Sequence, residues 1–278
     1  MRNTISLLAI LLFSVAASAQ GWLELPAAHR GDKTLLVTQT MSVGRYSGRS
    51  HTFLYDPSAR ISRWVAYPLN AGLIGEGRRG DGWHVSEALP ASLQANLFKG
   101  FAYGSGYDRG HQIPSADRLE PKANESTFVY INATPQDHGF NAGIWAELEK
   151  VVRTWAKRSD TLYVVTGAVP SEKNIVADND GRAVNIPVAY YKAVLRRNTD
   201  RLGRVHWTMN AVLLPHADRP TGTWQENLAY FKSQALSIDM LEAYTGEDLF
   251  PNLAALIGRE KADELEKMEP AKAEWWWK

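Results

Sequence analysis

The chain contains no cysteine. Disulfides, thiolate metal centres and cysteine nucleophiles are therefore excluded. At 278 residues a hydrophobic core can form without such staples. An excess of one charge sign is also missing. There are 31 lysines and arginines against 30 aspartates and glutamates. No global field draws the chain to an acidic polymer, so binding nucleic acid would need a locally positive cleft. Beyond residue 19 no apolar run approaches membrane-spanning length. No internal repeat and no linker interrupts the sequence. With 45% hydrophobic residues the composition is that of a folded domain and not of a disordered chain.

The first 19 residues stand apart. Met1 to Thr4 is short and weakly basic. Ile5 to Val15 is apolar but for Ser6 and Ser14, and Ala17-Ser18-Ala19 supplies the small-x-small pattern of a cleavage site. This reads as a secretory signal peptide, against the rival readings of a buried first helix or a membrane anchor too short to span well. The expectation is an exported protein, periplasmic or extracellular, with no membrane anchor after signal cleavage. Cleavage would remove Arg2 and no acid, which brings 31 basic residues to 30 against 30 acidic ones. Residues 20–32 read as an extended leader, 33–258 as the folded domain, and 259–278 as a charged, Trp-rich tail. For Trp275-Trp276-Trp277, docking on the domain, binding a partner and fraying all stay open.

Lys33–Thr40 reads as a strand, and Ser50–Tyr55 with Arg60–Pro68 as two more around an Asp56-Pro57 turn. Residues 71–84 look like a surface loop with Arg78 and Arg79 exposed. Leu89, Leu93 and Leu97 repeat at four and predict a short helix within Ser86–Lys99, with Pro90 in its first turn. Thr161–Thr166, Ile186–Leu195 and Arg204–Leu214 are further strands. Asp178-Asn179-Asp180-Gly181 lacks the spacing and terminal glutamate of a calcium loop and reads as a turn. Leu228–Ala235 is ambiguous between strand and helix. Ser237 caps a helix through Tyr244 that Gly246 closes. Residues 259–269 are predicted helical.

The chemistry gathers between residues 107 and 153. Tyr107–His111 is a short polar cluster, Phe128–Asn132 a strand-like run, Pro135–Phe140 turn-forming, and a helix follows from near Phe140. Asn141, Trp145, Glu149 and Arg153 are spaced by four, so they form a stripe that drifts about 40 degrees per step. Histidine, asparagine, glutamate and arginine make a poor zinc site. They suit magnesium better: an amide oxygen holds a hard cation that keeps most of its waters, and a carboxylate orients those waters. A histidine is then free to act as general base, and an arginine balances phosphate charge. That set fits phosphodiester hydrolysis by water. Each residue also has an ordinary reading. His111 alone is a loop histidine, Asn141 a helix cap, Glu149 with Arg153 a surface i,i+4 pair worth about 0.2–0.5 kcal/mol, Asp108 with Arg109 a local ion pair, and Trp145 a core residue.

Asp108-Arg109-Gly110-His111 resembles the DRGH signature of the DNA/RNA non-specific endonucleases, which carry the ββα-metal, or His-Me finger, active site. Pro114 and Ala116-Asp117 follow as that signature expects. Asn132-Ala133-Thr134-Pro135-Gln136 is similar to its second motif, and Asn141, Gly143, Trp145, Glu149 and Arg153 to its helix. Weaker similarity takes in Trp64-Val65-Ala66-Tyr67, Thr166-Gly167 and Ile186-Pro187-Val188-Ala189-Tyr190, so the resemblance covers residues 33–253. It implies an α+β fold: a ββα-metal core within a mixed, largely antiparallel β-sheet domain flanked by helices.

The resemblance also implies roles. His111 is the general base, and Arg109, Arg153 and Glu149 complete the catalytic set. Asn141 is the direct ligand of magnesium, for which manganese can substitute, and Glu149 holds that ion through water. Arg109 positions substrate and Arg153 contacts phosphate. Asn132 either braces the loop around His111 or touches substrate. The upstream phosphate arginine of the family falls best on Arg49 and next on Arg45. The implied activity is a secreted, metal-dependent endonuclease acting on DNA and RNA with little sequence preference and leaving 5′-phosphate ends. An inhibitor protein and a homodimer are both left open. The alternatives are a catalytically weakened nucleic-acid-binding protein on the same fold, a phosphodiesterase restricted to one type of nucleic acid, and an envelope structural protein using Trp275–Trp277 as its contact.

Overall fold

The computed structural model describes residues 22–27, 33–97, 106–217 and 221–278. Residues 1–19, expected to be a signal peptide, part of the expected leader, the C-terminal end of the Ser86–Lys99 stretch and residues 101–105 of the Gly-rich stretch lie outside them. In chain order the strands are β1 (Leu35–Val43), β2 (Tyr46–Asp56), β3 (Ile61–Leu69), β4 (Tyr107–His111), β5 (Ala133–Asp137), β6 (Thr161–Val169), β7 (Ile175–Ala177), β8 (Ala183–Asn185), β9 (Ala189–Thr199), β10 (Val205–Pro215) and β11 (Ala235–Leu236). The helices are α1 (Ala71–Ile74), α2 (Pro121–Glu125), α3 (His138–Phe140), α4 (Ala146–Lys157), α5 (Trp224–Ser233), α6 (Ile238–Thr245), α7 (Leu253–Ile257) and α8 (Arg259–Glu266). Among the described residues, seven strands form one sheet in the order β1-β2-β3-β6-β9-β10-β11, and β4-β5 and β7-β8 form two ribbons. Every neighbouring pair is antiparallel. This is the α+β architecture that the sequence implies. No helix among the described residues is long and apolar enough to cross a membrane.

The sheet is covered on both faces, and strand alternation divides its side chains between two cores. Val65, Tyr67 and Leu69 of β3, Tyr190 and Val194 of β9, and Val212 and Leu214 of β10 enter the core shared with α4. Trp64 and Ala66, Tyr191, Ala193 and Leu195, and Met209 and Ala211 enter the other, under α6, α7 and α8. A strand apolar on both faces shows no polar–apolar alternation, so these runs were recognisable as strands by composition and not by period. Leu23 and Leu25 join the second core, so this part of the leader is packed. The charged tail is also integral. Ala262 and Leu265 of α8 lie in the second core, and Trp276 is wholly buried in the first.

Two local expectations fail. The leucine repeat at 89, 93 and 97 makes only a single 3-10 turn over Ala91–Leu93. The buried Gln94 organises this segment instead: its Oε1 accepts from the Ser86 N–H (2.9 Å), and its Nε2 donates to the carbonyls of Ser86 (2.7 Å) and Leu89 (2.8 Å). The strand expected at Phe128–Asn132 is also displaced. Tyr130–Asn132 is a 3-10 turn, and the strand is the polar Ala133–Asp137, because its partner is the equally polar Tyr107–His111. Elsewhere Thr223 and Glu226 form a capping box, which makes Trp224–Ser233 a helix. Ser237 and Gly246 bound α6, the glycine at φ 74°.

Candidate active site

Strands β4 and β5 form a hairpin-like ribbon in register, Asp108 opposite Gln136 and Gly110 opposite Thr134. Gly110 is obligatory there, since a Cβ would lie 2.1 Å from Gln136 Oε1. His111 ends β4. The loop after it is held by Asn132, whose Oδ1 accepts from the Ile113 N–H (3.0 Å) and whose Nδ2 donates to the carbonyls of Ile113 (3.0 Å) and Thr127 (2.8 Å). Asn132 is fully buried. Of its two implied roles, it therefore fills the bracing one, and no part of its amide faces a substrate.

Asp137 ends β5 and caps the next helix, its Oδ1 accepting from Gly139 (2.8 Å) and Phe140 (3.3 Å). Asn141 is thus not the N-cap of this segment. It opens a π-helical segment, Asn141–Trp145, that leaves helical geometry at Gly143 (φ −99°, ψ −115°) before α4 begins. The kink at Gly143 interrupts the regular rotation of the helix, so the drift expected for a straight α-helix does not carry across it. As a result Asn141, Glu149 and Arg153 line one cleft, while Trp145 turns into the core.

That cleft encloses about 360 Å³ and is also lined by His111, Arg109 and Arg79. Asp108 Oδ2 accepts from Asn141 Nδ2 at 2.8 Å and meets His138 Nδ1 at 2.9 Å. Because the amide nitrogen is engaged, its oxygen is the atom left for a cation. The Glu149 and Arg153 side chains are only 15% and 17% exposed, which removes the reading as a solvated surface pair. Arg153 Nη1 donates to Asp117 Oδ1 at 2.9 Å and stands 4.0 Å from Glu149 Oε2, and Tyr67 donates to the other Asp117 oxygen at 3.0 Å. Burial works against the Arg153 charge, but Asp117 and Glu149 outweigh it and hold the guanidinium protonated. Burial, joined by Asp117, holds the Glu149 carboxyl above the usual carboxylate range, although Lys192, Arg153 and Arg79 pull it down. Lys192 is buried beside this group, donating to Thr166 Oγ1 at 2.8 Å and lying 4.8 Å from the centre of the Trp145 ring. His111 is 8% exposed. Burial first, then Arg79 and Arg109, lower its pKa to about 3, so the imidazole is neutral at any ordinary pH and able to accept a proton.

Neither upstream arginine proposed from sequence lies in the cleft. Arg49 is buried on β2 in an ion pair with Glu24, donates to Thr52 Oγ1 (3.1 Å), and stacks on Trp22 at 4.1 Å. It borders a separate depression with Tyr46 and Tyr163. Arg45 is exposed in the β1–β2 turn. The upstream arginine of the cleft is Arg79, from the loop expected to be a plain surface. Its loop is pinned by the Gly80 N–H to Asn124 Oδ1 (2.8 Å) and by His84, whose N–H donates to the Phe128 carbonyl (2.9 Å) and whose carbonyl accepts from Tyr130 (2.8 Å). Gly77, at φ 154°, passes so close to the Leu119 carbonyl that a Cβ would fall 2.1 Å from it. Glycines in Gly75-Glu76-Gly77-Arg78-Arg79-Gly80 were the available signal: they mark a close backbone approach as well as a flexible loop. Arg79→Ala is expected to lower kcat on plasmid DNA by about 10²-fold. Arg49→Met is expected to lower the melting temperature and spare kcat. The reverse pattern would restore Arg49 to the site.

Among the described residues, Asp239, Glu242 and Glu266 form a further acidic group whose ligand oxygens lie within 4.8 Å of one another. It lies on α6 and α8, which pack on the opposite face of the sheet from α4.

The profile of the DNA/RNA non-specific endonuclease family matches residues 38–256. A nuclease of Nostoc sp. is 30% identical over 208 residues, 73% of this chain and 72% of its own length. The nuclease of Serratia marcescens is 28% identical over 248 residues, 88% of this chain and 87% of its own. Among solved structures, a chain of the crystallised EndoG/EndoGI complex superposes with a TM-score of 0.58 at 22% identity, over 77% of this chain and 86% of that one, which is a likeness of fold. The chain belongs to the DNA/RNA non-specific endonuclease family.

Proposed function

We propose that this member of the family is an exported, magnesium-dependent endonuclease that hydrolyses phosphodiester bonds of DNA and RNA with little sequence preference and leaves 5′-phosphate ends. One observation carries the reading. A neutral, buried histidine, an amide oxygen, a carboxylate and three arginines converge on a single cleft. Export is supported by the pattern of residues 1–19.

The residues fit a hydrated hard cation. Asp108 orients the Asn141 amide with its oxygen free, and Glu149 stands in the same cleft as a carboxylate able to hold a coordinated water. So few direct protein donors suit an ion that retains its waters. Asn141 would hold magnesium directly and Glu149 through water, with manganese able to substitute. Magnesium, when bound, supplies Lewis-acid stabilisation of the negative charge that builds on the scissile phosphate. His111 takes the proton from the attacking water. Arg153, kept charged by Asp117, and Arg79 and Arg109 face the phosphate oxygens with charge-assisted hydrogen bonds. These groups address phosphate, which every nucleic acid shares, and this explains weak sequence preference.

The test is cleavage of supercoiled plasmid, single-stranded DNA and RNA, each with magnesium and with EDTA. All three substrates are expected to be cut, EDTA to stop cutting and added magnesium to restore it. Binding of these nucleic acids without turnover would make the protein a binding module on a nuclease fold. Cutting of one substrate alone would narrow it to a restricted phosphodiesterase.

A further inference from the structure

We propose that Trp83 is a positioning residue for His111: with Phe128 it forms an aromatic cage that fixes the imidazole plane and keeps bulk water off it. The proposal rests on the reading of His111 as general base. Three rings meet in a closed triangle. Trp83 and His111 centroids are 4.5 Å apart at 50°, His111 and Phe128 4.9 Å at 87°, and Trp83 and Phe128 5.3 Å at 75°. The His111 Nε2 is buried with no hydrogen-bond partner among the described residues. The imidazole is therefore fixed by ring packing as well as by its place at the end of β4.

Trp83 is itself held in place. Its N–H donates to the Asp81 carbonyl (2.9 Å), and its neighbour His84 forms a parallel bridge to Val129, beside Phe128. The loop that supplies one wall of the cage is thus hydrogen-bonded to the segment that supplies the other. The arginines take part as well. Arg109 lies 5.7 Å over the Trp83 ring and Arg79 5.9 Å over the Phe128 ring. Both cations that face His111 are therefore placed by the two rings that enclose it. The other titratable side chains on the walls are His84, whose Nδ1 is bonded to the Gly82 carbonyl at 2.8 Å, and Tyr130. On the cleft side stand Asp108, Glu149, Arg153, Arg79 and Arg109, and of these Arg79 and Arg109 are the charges that act on the imidazole.

The consequence is a base that stays unprotonated in mild acid. An ordinary histidine, with a pKa near 6.5, is mostly imidazolium at pH 5 and is useless as a base. His111 is pushed to about 3 by burial first and by the two arginines second. A low pKa also makes a weaker base, so the cage favours availability and orientation over intrinsic strength. Opening it should extend the acid loss of activity upward in pH and leave alkaline turnover much less affected.

The experiment compares wild type, Trp83→Ala and Trp83→Phe. It measures kcat and kcat/KM on plasmid DNA from pH 4 to 9, and the His111 Cε1–H titration by NMR without metal, assigned with His111→Ala. In Trp83→Ala, His111 is expected to titrate toward 6.5 and activity at pH 5 to fall by up to about 30-fold relative to pH 8, the fraction left neutral at the reference pKa. Trp83→Phe should keep the wild-type limb. Should the alanine variant unfold by circular dichroism, Trp83→Gln, which fills the space with a polar side chain, makes the same comparison. An unmoved His111 titration in folded Trp83→Ala or Trp83→Gln overturns the cage, whatever the activity. A wild-type protein that cuts no nucleic acid overturns the nuclease reading instead, and the NMR arm still decides the cage.

Discussion

Replacing His111 with alanine is expected to lower kcat on plasmid DNA by about 10²–10⁴-fold, the range that a positioned general base contributes, while DNA binding stays within a few-fold. The asymmetry follows from the cleft. Phosphate is addressed by Arg79, Arg109 and Arg153, and the cation by Asn141 and Glu149. None of these uses the imidazole as a hydrogen-bond partner in this structure. The fold should survive, because Asn132 braces the following loop through backbone groups of residues 113 and 127. A second readout comes from acid. The folded-state pKa of His111 is about 3, below the unfolded reference of about 6.5. Between these values the unfolded chain binds the extra proton, so wild-type stability falls as pH falls from 6.5 toward 3, at up to about 1.4 kcal/mol per pH unit. The alanine variant lacks that slope. Urea midpoints at pH 7 and pH 5 should therefore differ less in the variant than in the wild type. Undiminished cleavage by the variant would remove His111 from the reaction.

Much of this site was legible in the sequence because its parts are local. Asp108, Arg109, Gly110 and His111 are consecutive, and Asn141, Glu149 and Arg153 lie close together along a helical stretch interrupted at Gly143, so proximity in sequence already brings them near each other. Asn132 was legible as a partner of the loop but not as which kind, since a buried asparagine and a substrate-facing one look alike in a sequence. The upstream arginine was not legible. Arg45, Arg49 and Arg79 are separated from His111 by 32 to 66 positions, and only the pairing of the 80–84 loop with residues 124–130 decides which of them arrives. Arg49, on a recognisable strand, was the more attractive choice, and its buried ion pair with Glu24 uses it elsewhere. Lys192, Trp83 and the role of Asp117, which was noted only as part of the signature, escaped for a related reason. Each acts through a neighbour distant in sequence: Asp117 through Arg153, Lys192 through Glu149, Trp83 through His111. The strands of the main sheet were recognised for their composition, and the polar β4 and β5 were missed for theirs.

Trp276→Ala is expected to destabilise the protein by about 3–5 kcal/mol, the range for removing a fully buried aromatic side chain. At about 2–4 °C per kcal/mol for a domain of this size, the melting temperature should drop by roughly 6–20 °C. The tail looked appended because it is charged and ends in three tryptophans, and the family match stops at residue 256. Its packing says otherwise. Trp276 is wholly buried and meets Trp155 edge-on at 4.8 Å, and the Trp155 indole N–H donates to the Trp276 carbonyl at 2.8 Å. Trp275 lies under Arg196 at 3.6 Å, and the Trp277 indole N–H donates to the Pro270 carbonyl at 2.9 Å. Trp155 belongs to α4, two residues past Arg153, so the tail closes the core beneath the helix that carries Glu149 and Arg153. The tail packs at the C-terminal part of α4, while Asp137 caps α3 at the opposite end of the segment that leads into it. Turnover well below the new melting temperature should therefore stay within a few-fold of wild type, while the lifetime of the enzyme at elevated temperature falls steeply. A variant that melts at the wild-type temperature would return residues 270–278 to the status of an appendage. A variant that loses turnover well below its own melting temperature would make the tail part of the catalytic helix's positioning.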